Sequence, residues 1–345
     1  MNVIIRVDAS NSIGTGHIMR CLTLADELTQ NRGKVEFICR EEPGNMINHI
    51  EKRGYEVKPL PAGIDLETDR ELSQDFLGKH TETIDWLVVD HYELDARWES
   101  YMHSSVRKIM VIDDMANRPH DCDLLLDQNY NETPNRYQRL VPITCTQLLG
   151  PEYALLRPQF SKAREKLRNR TGEVKRILVF MGGADPTNQT CKVLRAIKKF
   201  NSPDIAVDTV IGVSNKHREE IENLASNMSK TICHYNVENM SELMAVADLS
   251  IGASGTTSWE RCCVGLPSLV ITIANNQIKI AENLGKNGII TNLGWFEDVN
   301  QSDIKSALEY LLDKPDIIRQ MSIDGMRIVD TLGTERVARE LTYVK

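Results

Sequence analysis

The sequence predicts an α/β protein of two similar halves, each a mainly parallel sheet flanked by helices. Three observations point there. Short β-branched or apolar runs alternate with segments of helical periodicity along both halves. Glycine-bearing turns link an apolar run to a helix at 14–16, and again at 182–183 and 252–255. Between the halves, seven of the nineteen residues 157–175 are Lys or Arg, and Pro158 and Gly172 punctuate the stretch. With 345 residues the chain can fill two cores of ordinary size. The expected division is residues 1–157, a linker at 158–175, residues 176–330, and a terminal helix at 331–345 packing back on the first domain.

The composition narrows the functional classes. The net charge is −8, which argues against nucleic acid as a main partner, since phosphate backbones need a basic surface. An anionic small molecule remains compatible, because backbone amides hold phosphate without net positive charge. The eight cysteines lie at 21, 39, 122, 145, 191, 233, 262 and 263, with no CxxC spacing, and read as reduced, mostly buried thiols. No apolar run reaches the roughly 20 residues that span a bilayer, and the chain opens directly on a strand. A cytoplasmic protein without membrane insertion is expected, with a monomer as its working form.

In chain order, Val3–Val7 is a β-branched run and reads as the first strand. Ile18, Cys21, Leu22, Ala25 and Leu28 then recur at helical spacing. Lys34–Cys39 is a second strand, Asn45–Arg53 a helix closed by Gly54, and Glu56–Leu60 a third strand. Glu67–Thr83 reads as helix, and Trp86–Asp90 as an apolar strand ending in an acid. Arg107–Asp113 and Leu124–Asp127 complete the first sheet. The basic run 157–175 reads as a surface helix with a solvated face. The second half restarts with the strand Arg176–Met181, and Asp185 followed by Pro186 reads as N-cap and first residue of a helix. Strands at Ile205–Ile211 and Thr231–Tyr235 enclose a helix at Lys216–Met228. A helix at Met240–Ala247, strands at Leu249–Ile251 and Ser268–Ile273, the turn Asn275-Asn276-Gln277 with a helix after it reaching about Lys286, and helices at Asp303–Leu312, Asp316–Val329 and Glu335–Val344 follow.

The turn Ser12-Ile13-Gly14-Thr15-Gly16-His17 organises the first half. A strand, a glycine turn and a helix start gather backbone N–H groups at one spot, with His17 in the helix's first turn. A helix N-terminus disfavours the imidazolium, which leaves a neutral ring able to accept a proton, the profile of a general base. A dinucleotide-binding turn would need glycine or alanine where Met19 stands, and a P-loop needs a lysine that does not follow Gly16. The competing reading is a histidine that merely caps or packs. Since open α/β sheets bind ligands at the carboxyl ends of their strands, His17, His91, Tyr92, Asp113 and Asp127 are candidates for one cleft. The two aspartates serve equally well as turn caps. In the second half, the small and hydroxyl residues of Gly252–Ser258 suit an anion, and Glu260, about one turn on, suits a ribose diol. Thr257-x-x-Glu260 also fits a capping box.

Two such halves with nucleotide loops in the second resemble the GT-B architecture, two Rossmann-like domains facing across a cleft. Arg6-Val-Asp8, Gly14-Thr-Gly-His17-Ile-Met-Arg20-Cys21, Asp90-His91-Tyr92, Gly182-Gly183-Ala184-Asp185-Pro186 and Gly252-Ala253-Ser254-Gly255-Thr256 through Trp259-Glu260 resemble, in order, the UDP-sugar hydrolases of the pseudaminic acid pathway. The resemblance implies release of UDP and 2,4-diacetamido-2,4,6-trideoxy-L-altrose from the UDP-sugar, toward a nine-carbon, sialic-acid-like sugar of bacterial surface or flagellar glycans. His17 would be the catalytic base. Gly14, Thr15, Gly16, Arg20 and Tyr92 would border the substrate, and Gly182 and Gly183 the nucleotide. Tyr235 to Met240, with Asn236 and Val237, resembles the uracil pocket of the peptidoglycan N-acetylglucosaminyltransferase. Ser254, Gly255, Thr256 and Thr257 would hold the diphosphate, Glu260 the ribose, and Asn275, Asn276 and Gln277 would face the sugar. Neither metal nor cofactor is implied, and C1–O cleavage would proceed with inversion. A GT-B transferase passing the sugar to an acceptor, a hydrolysing UDP-sugar 2-epimerase, and a nucleotide-sugar sensor without turnover remain as alternatives.

Overall fold

The computed structural model describes residues 1–343 apart from 11, 12, 131, 132, 134 and 201. Ser12, at the edge of the glycine turn, and Val344, the expected end of the last helix, lie outside the described residues. Two units are present: Met1–Leu155 together with the chain from Leu332, and Leu156–Thr331.

Unit 1 is a parallel sheet of seven strands: β1 (Asn2–Val7), β2 (Lys34–Arg40), β3 (Glu56–Leu60), β4 (Ile84–Asp90), β5 (Val106–Ile112), β6 (Leu124–Asp127) and β7 (Thr146–Leu149). Their order is β3-β2-β1-β4-β5-β6-β7, so the chain reverses its direction of travel between β1 and β4. Both faces of the sheet are covered, which is why Trp86–Val89, and Val3–Val7 apart from the ion-paired Arg6, read as apolar runs. Helices α1 (Gly16–Gln30), α2 (Ile47–Lys52), α3 (Leu66–Gly78) and α4 (Ala96–Met102) pack on it. On one face Ile18, Leu22, Ala25 and Leu28 of α1 meet Val3, Ile5 and Phe37; on the other, Leu77 and Trp98 meet Ile4, Leu87 and Ile109.

Unit 2 begins with α5 (Pro158–Glu165) and contains β8 (Arg176–Phe180), α6 (Gln189–Phe200), β9 (Ala206–Ile211), α7 (Arg218–Ser226), β10 (Thr231–Tyr235), α8 (Met240–Val246), β11 (Leu249–Ala253), α9 (Thr257–Cys263), β12 (Ser268–Thr272), α10 (Asn275–Lys286), β13 (Thr291–Trp295), α11 (Gln301–Leu312) and α12 (Pro315–Ile328). Its six strands are parallel, in the order β10-β9-β8-β11-β12-β13, and here the reversal falls between β8 and β11. The chain then returns to unit 1 as α13 (Gly333–Tyr343), which buries Val337, Ala338 and Leu341 in the α1-side core. The Trp86 indole donates to the Leu341 carbonyl at 2.9 Å. A side chain at Gly333 would collide with the Ala154 backbone, so glycine is what lets α13 start there.

Several expectations are corrected. Helix α3 stops at Gly78 rather than Thr83, after starting on Asp65, whose carboxylate accepts from the Thr68 amide at 2.8 Å. Helix α6 starts at Gln189, so Pro186 is not its first residue. Asp185 nevertheless caps it, from a left-handed conformation (φ 40°), by accepting from the Gln189 and Thr190 amides at 2.8 and 2.9 Å. The capping box at Thr257–Glu260 does not form: the N-cap is Thr256 and makes no side-chain cap, while Glu260 pairs with Arg157 at 2.9 Å. The basic run is not uniformly a solvated face either. Its lysines 162, 166 and 175 are exposed, but Arg170 is buried and Arg164 half-buried, both bonded to backbone carbonyls of unit 2.

Candidate active site

Strand order builds the first constellation. β1 feeds the glycine turn and α1, and β4 lies beside β1 with Val7 opposite Asp90. His17, in the first turn of α1, therefore stands over the end of β4, at the reversal point where parallel sheets form ligand crevices. Gly14 takes φ 83° and donates its amide to the Ser10 carbonyl at 2.8 Å, which folds the turn tightly enough to deliver the helix there.

Asp90 is the hub. Its Oδ1 lies 2.6 Å from His17 Nδ1, and Arg20 binds it bidentately, Nε to Oδ2 and Nη2 to Oδ1, both at 2.6 Å. Burial pushes the Asp90 carboxyl up, but the Arg20 charge and then His17 outweigh that and hold it well below the usual carboxylate range. An ionised carboxylate only accepts hydrogen bonds, so Nδ1 carries the proton facing Asp90, and in the tautomer this fixes the lone pair lies at Nε2. Among the described residues no group hydrogen-bonds Nε2. Tyr92 packs edge-on against the imidazole (centroids 4.7 Å, 89°) and donates to Asp114 Oδ2 at 3.2 Å, while Arg20 Nη1 reaches the same carboxylate at 3.5 Å. An imidazole clamped on one nitrogen and open on the other has the geometry of a general base.

The sequence placed other candidates differently. Arg20 is buried and committed to Asp90, so it positions the dyad from behind. His91 points into a separate cluster: its Nε2 lies 3.0 Å from Asp8, itself paired with Arg6, which also binds Asp69. Asp113 accepts from the Met115 and Ala116 amides and from Arg118, and Asp127 pairs with Arg136, so both brace loops. Residues missing from the candidate list are Asp90 and Asp114. Asp90 was visible as an acid ending a strand, but its partner lies 73 positions away and only the strand order joins them.

In unit 2 the loops 182–185 and 252–258 leave β8 and β11, the two strands flanking the reversal. Gly182 has φ 91°, and the Gly183 backbone presses on Gly212 at the end of β9, where no Cβ fits. Gly255, Thr256 and Thr257 are partly exposed, whereas Ser254 is fully buried with its hydroxyl unpartnered among the described residues; the surface of this loop open to an anion is therefore 255–257. Gln277 ties the neighbouring loop in, its Oε1 accepting from the Ile273 amide at 3.2 Å and its amide nitrogen lying beside Gly255. Asn275 is exposed and Asn276 half-buried. At the end of β10, Tyr235 is exposed under the Arg218 guanidinium (3.9 Å), Asn236 takes φ 52°, Val237 is half-buried and Met240 buried. Glu260 is half-buried in its pair with Arg157. Among the described residues, no group of three or more metal-binding side chains occurs, and no helix is long and apolar enough to cross a membrane.

Residues 176–326 match the model of the glycosyltransferase family 28 C-terminal domain. The chain is 28% identical over 289 residues to the UDP-2,4-diacetamido-2,4,6-trideoxy-beta-L-altropyranose hydrolase of Campylobacter jejuni, covering 84% of this chain and 97% of that one. It is 25% identical over 342 residues to the spore coat polysaccharide biosynthesis protein SpsG of Bacillus subtilis, covering 98% and 96%. An uncharacterized protein of Methanocaldococcus jannaschii is 26% identical over 319 residues, 88% of this chain; the match spans only 63% of that longer relative. In three dimensions the chain resembles MurG of Acinetobacter baumannii (TM-score 0.70, 12% identity, 99% of both chains) and the MnaA–UDP co-structure from S. aureus (TM-score 0.63, 13% identity, 99% and 96%). These likenesses show a GT-B-like fold, and the resemblance to the hydrolase drawn from the motifs is borne out over most of the chain.

Proposed function

We propose that this chain, an enzyme acting on a UDP-sugar, hydrolyses UDP-2,4-diacetamido-2,4,6-trideoxy-β-L-altropyranose at the anomeric C–O bond. The observation that carries the reading is the His17–Asp90–Arg20 constellation. The sugar–diphosphate bond already contains a good leaving group, so the protein has to place one water, take its proton and stabilise the departing charge. His17 Nε2 takes the proton of a water attacking C1 from the face opposite the diphosphate. The electron pair of C1–O leaves with UDP, and the configuration inverts. Asp90 stabilises the imidazolium so formed, as a carboxylate behind a catalytic histidine does. UDP is held by the amides and hydroxyls of 255–257 and by Gly182 and Gly183, with Glu260 on the ribose and 235–240 on the uracil. No step calls for a metal, so full turnover is expected in EDTA.

The likeness to the Campylobacter hydrolase supports water as the acceptor. The family 28 match in residues 176–326 supports a transferase as the second reading. UDP release from the purified chain and this UDP-sugar, with no acceptor added, separates the two. Turnover is expected, and a strict requirement for an acceptor would overturn the hydrolase. Proton NMR of the product then reads the C2 configuration. Retention at C2 is expected, and inversion there would make the enzyme an epimerase.

A further inference from the structure

Unit 2 withdraws several arginines from water, and they are of two kinds. Arg164 donates to the carbonyls of Cys263, Met326 and Val329, and Arg170 to those of Met244, Ala245, Ala247 and Val264. These carbonyls end α8, α9 and α12, where a cation is favoured. Arg261 is different. It is 2% exposed, and its Nη2 donates to the Ala253 carbonyl at 2.8 Å and the Ser258 hydroxyl at 3.1 Å, while its Nε has no acceptor among the described residues. Its Nη1 would lie 2.7 Å from a Cβ placed on Gly252, so the guanidinium fills the space under the 252–258 loop.

Among the described residues no carboxylate forms an ion pair with this charge. Glu260 is the one carboxylate close enough to act on it among the described residues, and Glu260 is already paired with Arg157 at 2.9 Å. Burial pulls the Arg261 pKa down to about 10, so it stays charged at neutral pH. A second fully buried group on the same loop, the Ser254 hydroxyl, also lacks a partner among the described residues. A charge buried with neither counter-ion nor a full set of acceptors is among the costliest arrangements a fold contains.

We infer that Arg261 is the counter-charge for the diphosphate of a nucleotide ligand, acting from beneath the loop whose accessible face is Gly255–Thr257. The inference rests on the reading of unit 2 as the UDP site and adds to it a residue that never touches the ligand. Arg261 is thus a positioning residue that works by its field. The fold carries the uncompensated charge in the empty state and recovers the cost when the anion arrives.

The test uses the full chain with Arg261→Met and Arg261→Lys. Dissociation constants for UDP, UMP and uridine are measured by calorimetry, beside the thermal midpoint without ligand. One charge about 10 Å away through an effective dielectric near 20 predicts that Arg261→Met weakens UDP on the order of tenfold. UMP should lose less and uridine nothing, Arg261→Lys should stay within about threefold of the native chain, and the ligand-free midpoint of Arg261→Met should not fall. A merely structural arginine gives another pattern: uridine suffers as much as UDP, and the midpoint drops. That pattern overturns the inference, as does UDP affinity within about twofold of native in Arg261→Met, or equal losses in Met and Lys. If Arg261→Met does not fold, Arg261→Gln is judged by the same affinities. A native chain that binds no UDP overturns the nucleotide reading and this inference with it, whereas normal native affinity with an insensitive variant removes the inference alone.

Discussion

Replacing Asp90 by Asn tests the dyad at its hub, and two losses follow from the geometry. Asn keeps the shape and removes the charge. Its carboxamide oxygen can still serve Arg20, which turns the NH2 group toward His17 Nδ1, 2.6 Å away in the native chain. A nitrogen facing a donor must accept, so the ring proton moves to Nε2 and no lone pair remains for water. The expected fall in kcat is about 10²–10⁴, or roughly 3–5 kcal/mol of barrier, with KM little changed because the proposed nucleotide contacts lie in unit 2. The second loss is stability. Arg20 stays buried without its bidentate partner, at a cost of about 3–5 kcal/mol. The low end is expected, because Asp114 remains 3.5 Å from its Nη1. The pH response also has a definite sign. The native Asp90 pKa is depressed, so its contribution is full above the unfolded value near 3.9 and fades as pH falls below it. The variant should lack that part of the acid sensitivity. Steady-state UDP release and urea unfolding of unit 1 provide the readouts. A variant turning over within about threefold of native would refute the tautomer argument, whatever its stability.

Other perturbations reach different parts of the chain. His120 is buried between Glu99 (2.7 Å) and Asp113 (3.8 Å); burial lowers its pKa, but the Asp113 carboxylate nearby and the bond to Glu99 outweigh that and raise it to about 9. Unit 1 should therefore lose about 3 kcal/mol between pH 6.5 and 9, a slope that His120→Gln should flatten in urea titrations; parallel curves would count against it. Glu260→Ala should weaken UDP about tenfold by calorimetry, since the charged hydrogen bond proposed to the ribose goes, and unchanged affinity would remove that role. Gly333→Ala drives a methyl into the Ala154 backbone and should lower the unit 1 thermal transition by about 1–3 kcal/mol. An unmoved transition would mean the start of α13 has room to spare.

What was legible in the sequence was whatever repeats at short range. β1 and α1 announce themselves through apolar periodicity, and the glycine turn between them located His17. The strands left unread, β7 and β13, lie at sheet edges, and neither carries the continuous apolar run of the central strands. Helix α4 was passed over because only Trp98 and Met102 of its large apolar residues reach the core, while Tyr101 faces solvent. The start of α6 was misplaced because Asp185 caps from a left-handed turn further back than a standard N-cap, and a Pro-x-x segment intervenes. Site chemistry that depends on long-range pairing was out of reach. Asp90 became the orienting acid only once β4 was placed beside β1, and Arg164, Arg170 and Arg261 look alike in a sequence although their surroundings differ entirely.

The central claim is that His17 delivers water to the anomeric carbon, and hydrolysis in ¹⁸O water tests it most directly. With the UDP-diacetamido sugar as substrate, the native chain should place the label on the sugar's anomeric hydroxyl and none on UDP. His17→Ala should cut that labelling rate by about 10²–10⁴ while binding UDP as before. Label appearing on the UDP phosphate, or near-native labelling of the sugar by His17→Ala, would contradict the account.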